Sequence, residues 1–286
     1  MIRFMTDAAA DITADIANEL DIAVLPLMIH FGEESIKADE NLDYDNFYQT
    51  VRESDVIPST SQMSPADIEE LYRKLGADGD PIVHTTISSK ASGVNNTAHM
   101  VAEQLKDEGF DITIIDSTTF SYPIGKVVAE AAQMAKDGKE KQEIIDYMTT
   151  CYKRDNAYFV VDDLTYLQKG GRIKATTMAI SKALDIKPIL SINDGLVEAY
   201  KKVRGLKKAM SVLSDYVVER MDSPEENEVC ILHSDAPDKV EILKKQIEEK
   251  VNPKAIKVKN IGPIITAHAG LGLVGIFFKH KQSYEN

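Results

Sequence analysis

The sequence predicts an α/β protein in two parts: an N-terminal α/β domain on a parallel sheet over residues 1–155, and a C-terminal α+β domain with a mixed or antiparallel sheet over 156–286. Three observations predict it. The chain has 286 residues, and at ~100–200 residues per domain that is one large domain or two ordinary ones. Through the first half, short apolar runs alternate with helix-period segments, the pattern of a parallel sheet with helices on both faces. From Asp155 to Tyr158 the rhythm changes, and beyond it Asn193-Asp194-Gly195 sits between two apolar runs. That tripeptide is a hairpin signal, foreign to a βαβ unit.

Taken in order, IRFMTD reads as a buried strand and ITADIANEL as a helix with Ala14, Ala17 and Leu20 on one face. AVLPLMIHF reads as a second strand, and DYDNFYQTV and PADIEELYRKL as helices. Pro65 suits the first turn of the latter, and the acids behind it suit the positive end of the helix dipole. PIVHTTI is a strand, and a helix follows from Ser92 with Val94, Ala98, Val101 and Leu105 on one stripe. DITIID is the next strand, ahead of helices near 123–137 and 140–153. In the second half YFVVDDL leads into a polar, glycine-bearing stretch, YLQKGGRIKATT. The hairpin PILSI and LVEAYKKV comes next. Leu206, Met210, Leu213, Val217 and Met221 mark a helix, VCILHS a strand, Val240, Leu243, Ile247 and Val251 a further helix, and AIKVKNI a strand.

The segment 261–278 carries no formal charge, and its length matches a membrane span. It also holds Pro263, His268 and four glycines, so it reads better as a buried strand, a glycine loop and a second buried strand. The N-terminus has acids where a signal peptide needs an apolar stretch. A soluble, cytoplasmic protein is expected.

Composition narrows the function. Lys plus Arg is 33 against 46 for Asp plus Glu, a net charge of −13, which disfavours nucleic acid and a membrane-surface habit. Two cysteines, Cys151 and Cys230, make neither a disulfide framework nor a four-cysteine zinc site. The six histidines show no metal-ligand spacing, and there is no GxxxxGK[ST], HExxH or GxSxG. No metal and no organic cofactor are therefore expected. Gly270 to Gly275 matches GxGxxG, but only 11 residues follow, too few for the βαβ unit that a dinucleotide fingerprint opens. These glycines instead allow close backbone approach to a ligand or a strand.

Ser88-Ser89-Lys90-Ala91-Ser92-Gly93 follows a strand and opens a helix. Ligands of doubly wound sheets collect at such places, and helix N-termini bind anions, although plain capping by Ser92 also accounts for the motif. Thr60-Ser61-Gln62 reads either as a capping turn or as a hydroxyl pair aimed at the same crevice. His268 reads either as a satisfied core histidine or as a ligand group.

The blocks TDAAADI, STSQMSP, TISSKASGVNNTA, IIDS, LTYLQKGGRI, KPIL, DGLVEAYKKVRG and IGPIITAHAGLG, in this order from residue 2 to about 278, resemble the DegV family of fatty-acid-binding proteins. That family includes the substrate-carrying subunit of bacterial fatty acid kinase. The resemblance implies a two-domain protein holding a long-chain, palmitate-like fatty acid, with the carboxylate near the domain junction and the tail in a tunnel of the C-terminal part. It places the carboxylate ligands on Thr60, Ser92 and His268, with Ser61, Gly93 and Gly270 in support. It also places Arg172 at the surface, as a contact for a separate ATP-dependent kinase. The chain departs from the family pattern at Ala8, Met63, Val94-Asn95, Ala269 and Leu271, which bears on tail preference.

The chemistry agrees. An ionised carboxylate only accepts hydrogen bonds, and two hydroxyls, backbone N–H groups and an imidazole supply donors without an obligatory charge. A tail of ~15 methylenes at ~0.8 kcal/mol each offers at most about 12 kcal/mol before binding costs. The reading is a binding protein rather than an enzyme: it buries the tail and presents the carboxylate for acyl-phosphate formation. The rival is an acyl ester or thioester hydrolase with Ser92 as nucleophile and His268 as base, against which stands the missing nucleophile elbow. A third reading is a phosphoryl or glyceryl carrier using His268 covalently.

Overall fold

The computed structural model describes residues 1–178 and 186–281. In chain order its first elements are β1 (Arg3–Asp7), α1 (Ala14–Leu20), β2 (Ile22–Leu25), β3 (Leu27–Phe31), β4 (Glu34–Ala38), α2 (Tyr44–Glu53), β5 (Ser59–Ser61), α3 (Pro65–Leu75) and β6 (Ile82–Thr86). Then come α4 (Val94–Lys106), β7 (Ile112–Asp116), α5 (Tyr122–Lys136), α6 (Lys141–Arg154), β8 (Asn156–Val160), α7 (Thr165–Gly170) and α8 (Ala175–Met178). The chain continues with β9 (Ile186–Asn193), β10 (Leu196–Arg204), α9 (Leu206–Arg220), β11 (Glu228–His233), α10 (Pro237–Lys250), β12 (Ala255–Asn260), α11 (Pro263–Ala269) and β13 (Val274–Phe278). Two compact units result. Unit one takes Met1–Asp43, Pro58–Tyr152 and Gly262–Ile264; unit two takes Tyr44–Ile57, Lys153–Ile261 and the chain from Ile265.

Unit one is built on an all-parallel sheet in the order β2-β1-β6-β7. From β1 the chain passes through α1 to β2 on one flank, while β6 and β7 lie on the other. The carboxyl ends of β1 and β6 therefore form the switch point where open α/β sheets bind ligands. β6 is buried at every position, as a central parallel strand must be. α3 begins with a capping box: Ser64 accepts from the Asp67 N–H, and Asp67 accepts from the Ser64 N–H, with Pro65 in the first turn.

AVLPLMIHF is two strands rather than one. Pro26 has no N–H to give a ladder, so β2 ends at Leu25 in the parallel sheet. Leu27 opens β3, which joins an antiparallel sheet in the order β4-β3-β5.

Unit two holds a six-stranded mixed sheet, β10-β9-β8-β13-β11-β12, parallel only between β11 and β12. The expected hairpin joins β9 to β10, and Asp194 and Gly195 both have positive φ, as a type I′ turn requires. The stripe of α9 is buried at Met210, Leu213, Val217 and Met221, and packs with Val240, Leu243 and Ile247 of α10 and with Tyr158, Ile189 and Ile276 of the sheet. The expected fold class, a parallel-sheet part followed by a mixed-sheet part, is what the chain adopts.

A contiguous division at 155/156 differs from the observed units, because α2 lies in unit two. Its Phe47, Tyr48 and Val51 are buried, the Tyr48 hydroxyl donates to the Ile261 carbonyl at 2.6 Å, and Arg52 pairs with Asp235. Nothing in an amphipathic pattern says which sheet its apolar stripe will cover. Two further local readings change. The stretch after Ile261 is not a strand but the helix α11, with Pro263 in its first position, where the missing N–H costs nothing. The polar stretch YLQKGGRIKATT is largely helical: α7 runs to Gly170, and Gly171 closes it in the left-handed conformation at φ 71°. Gly270 and Gly272 connect a helix to a strand, the reverse of the order in a dinucleotide loop. Among the described residues no helix is long and apolar enough to cross a membrane.

Candidate functional site

In unit one the Ser88–Gly93 loop leaves the carboxyl end of β6. Asp7, the last residue of β1, holds its root: one carboxylate oxygen accepts from the Ile87 N–H at 2.7 Å and the other from the Ala9 N–H at 3.1 Å. Asp7 is fully buried, and desolvation raises its pKa to about 6 although the two N–H donors pull it back. Asp11 accepts from the Ser121 hydroxyl and is raised to about 7, first by burial; the Gly262 N–H and Ser121 favour its charge, while that of Asp7 opposes it. Further along, the Ser88 N–H donates to the Thr119 carbonyl at 3.2 Å and the Ser89 N–H to Asp116 at 3.1 Å. The loop is thus moored to the ends of all three of the strands β1, β6 and β7.

Ser92 is half-buried, and its hydroxyl oxygen accepts from the Val94 N–H at 3.3 Å, while Gly93 occupies the cap position of α4. The capping and anion-binding readings of this serine are therefore compatible: the hydroxyl lies at the helix start and keeps its own proton for a ligand. Asn95, one of the departures from the family pattern, is buried and donates to the Thr86 hydroxyl at 2.9 Å, fastening the helix start to β6.

Thr60 lies on β5 opposite Ile29, and is half-buried. Its neighbour Ser61 points to the other face of the strand, where its hydroxyl meets His30 Nε2 at 2.8 Å. The residue that joins this strand to the Ser92 loop is Gln62. Its amide donates to the Thr97 hydroxyl on α4 at 2.9 Å, and a Cβ at Gly93 would lie 2.9 Å from its Oε1. Through Gln62, unit one thus ties the end of the strand that carries Thr60 and Ser61 to Gly93 at the start of α4, next to Ser92 in sequence, while the Ser61 side chain faces His30.

In unit two the corresponding region is the end of α11. His268 stands in its last turn, and its pKa is lowered to about 4, first by burial and then by the Arg172 charge. The imidazole is neutral at pH 7, with one N–H to donate. Gly170 admits it: a Cβ there would stand 2.7 Å from Nδ1. Arg172 is half-buried, its guanidinium donates to the Gly170 carbonyl, and its own carbonyl accepts from the Val197 N–H at 3.0 Å on β10. Gly270 ends the helix at φ 77°, with its N–H on the Thr266 carbonyl at 2.8 Å and the Tyr166 ring where a Cβ would lie, 3.0 Å away. Unit two thus brings Gly170, Arg172, His268 and Gly270 together.

Sequence reasoning missed Asp7, Gln62 and Tyr166. All three lie inside the family blocks without a role there, and a tyrosine packed on a glycine about a hundred residues downstream leaves no trace in spacing. Among the described residues no cluster of three or more His, Cys, Asp or Glu side chains could hold a metal ion.

Comparison with known proteins gives one consistent answer. The DegV family model matches residues 1–281. A DegV domain-containing protein of Halalkalibacterium halodurans is 32% identical over 276 residues, covering 96% of this chain and 97% of the relative. One of Clostridium perfringens is 34% identical over 278 residues, covering 96% and 95%. Among solved structures, a fatty acid binding DegV family protein from Streptococcus agalactiae superposes with a TM-score of 0.88 at 28% identity, covering 99% of each chain. DegV from Bacillus subtilis, also a fatty acid binding protein, gives 0.84 at 27% identity, covering 98% of this chain and 99% of that one.

Proposed function

This chain belongs to the DegV family, and on that premise we propose that it binds a long-chain fatty acid and presents its carboxylate to a separate kinase for acyl-phosphate formation. Thr60 and Ser92 donate hydroxyl protons to the carboxylate, the amides at the start of α4 add to them, and His268 donates its N–H. Gly93 and Gly270 support by making room for Gln62 and for the Tyr166 ring; Ser61, engaged with His30, supports through the strand. Arg172 faces the kinase.

The observation that carries this reading is the state of His268. A desolvated imidazole with a pKa of about 4 is neutral at working pH, so it offers one directed hydrogen bond without an ion pair that would trap the product end of the acid. The same property weighs against hydrolysis by Ser92 and His268. A general base works best with a pKa near the operating pH, and this one lies well below it.

Lipid extraction of protein from a heterologous host, followed by mass spectrometry, tests the reading. Co-purified free fatty acid in near-stoichiometric amount is expected. A covalent adduct at His268 would favour the carrier reading, and turnover of an acyl ester the hydrolase.

A further inference from the structure

The turn that follows His268 has a chemical problem. It is the carboxyl end of a helix, so its carbonyl oxygens face outward with partial negative charge, and a carboxylate ligand would be repelled by them. The structure removes the two carbonyls of the glycines from play. Ser234, which follows β11 and is fully buried, donates its hydroxyl to the Gly270 carbonyl at 2.8 Å. Lys239, in the first turn of α10, donates its ammonium to the Gly272 carbonyl at 2.6 Å and to Asp162 at 2.7 Å.

Every polar group of Ser234 is spent on this turn. Its N–H donates to the Leu273 carbonyl at 3.1 Å and its carbonyl accepts from the Gly272 N–H at 2.7 Å. Its hydroxyl oxygen also accepts from the Leu273 N–H at 3.1 Å. The backbone pair merely extends the β11–β13 ladder, whose last register pair is His233 with Val274. The hydroxyl reaches where the ladder cannot, back to the residue that ends α11. Gly272 is packed closely as well: a Cβ there would run into the Asp162 carboxylate, the same group that Lys239 holds.

We infer that Ser234 and Lys239 are positioning residues of the carboxylate site: they hold the Gly270–Gly272 turn with its carbonyls engaged, which fixes His268 and leaves its side of the turn acceptable to an anion. This rests on the fatty acid reading above. Neither residue touches the ligand in this assignment. Lys239 also balances the Asp162 carboxylate that lies against the turn, so that the pair adds no net negative charge beside the end of α11.

The test compares oleic acid with methyl oleate, which shares the tail and lacks the charge, and reads the ratio of their affinities. It also follows the His268 imidazole signals by heteronuclear magnetic resonance in the ligand-free protein. Ser234→Ala is expected to shift those signals and to cut the acid-to-ester ratio about tenfold, with Ser234→Thr restoring both. Lys239→Met, which keeps the aliphatic stem, is expected to cut the ratio about threefold to tenfold, and it carries the test if Ser234→Ala does not fold. Unchanged signals and ratio overturn the inference, as do shifted signals with an unchanged ratio. A wild-type ratio near one, unmoved by His268→Ala, fails differently: it takes down the carboxylate site itself, and this assignment with it.

Discussion

The two regions that carry the candidate donors are held by opposite chemistry. In unit one, the loop bearing Ser92 is rooted on the buried carboxylate of Asp7, which accepts from two backbone N–H groups. In unit two, the turn bearing His268 is rooted on the neutral hydroxyl of Ser234 and on Lys239, which engage carbonyls. One is a set of N–H donors gathered by an acceptor, the other a set of acceptors silenced by donors. The consequence is a difference in pH response. A buried carboxylate raised to about 6 binds protons near neutrality, whereas a hydroxyl does not titrate at all.

The largest expected effect breaks the second region outright. Gly270→Val places a β-branched side chain at φ 77° against the Tyr166 ring. It is expected to abolish fatty acid binding and to lower stability by ~2–4 kcal/mol, read by ligand titration and by urea unfolding.

Asp7→Asn sharpens the comparison. Folding raises the Asp7 carboxyl from its ordinary value of 3.8 to about 6, so between those values it holds a proton that the unfolded state has released. Wild-type stability is therefore lost as pH rises through that window, by up to ~3 kcal/mol in all. The asparagine carries no such cost, so the variant should gain on the wild type between about pH 4 and about pH 7. Urea unfolding of both at several pH values measures it. Ser234→Ala should show the same deficit at every pH. A parallel pH dependence in the two variants would erase the distinction between the regions.

Ser92→Ala removes one hydroxyl donor from a desolvated carboxylate. A loss of ~1–3 kcal/mol in binding is expected, with a smaller loss of stability, since the bond that the hydroxyl accepts from the Val94 N–H is long at 3.3 Å. Calorimetric titration with a long-chain fatty acid decides it. A drop in stability equal to the drop in binding would return Ser92 to the role of a cap.

The smallest effect concerns Arg172. Its charge helps to hold the His268 pKa down, so Arg172→Ala should move that value upward, as read in a magnetic resonance titration of the imidazole. Fatty acid affinity should stay within about twofold, while phosphorylation by a cognate kinase falls. Equal loss of both would place Arg172 among the ligand contacts instead.

Local signals were legible where a residue acts on its own neighbours. Asp194-Gly195 specified a hairpin because only residues tolerant of positive φ close it, and the Met210-Leu213-Val217 stripe specified a buried helix face. The strand predicted at the start of 261–278 failed because a continuous apolar run has no period to distinguish strand from helix. AVLPLMIHF is two strands for a related reason: the apolar run continues through Pro26 without a change of pattern, although the proline ends one ladder and the next sheet begins beyond it. In the site, hydroxyl and imidazole positions could be named from the blocks that carry them. Their supports could not: Asp7 acts on Ile87, Tyr166 on Gly270 and Ser234 on Gly270, all across long stretches of chain.

By itself the sequence determined the fold class, the order of most elements and the residue types able to meet a carboxylate, because periodicity, turn chemistry and hydrogen-bonding capacity are properties of short segments. Only the tertiary structure decided that α2 belongs with the second unit, that His268 is neutral, and that the glycine carbonyls beside it are engaged. Each of these depends on burial and on partners that meet through folding, and neither desolvation nor a hydrogen bond between distant residues is written in local spacing.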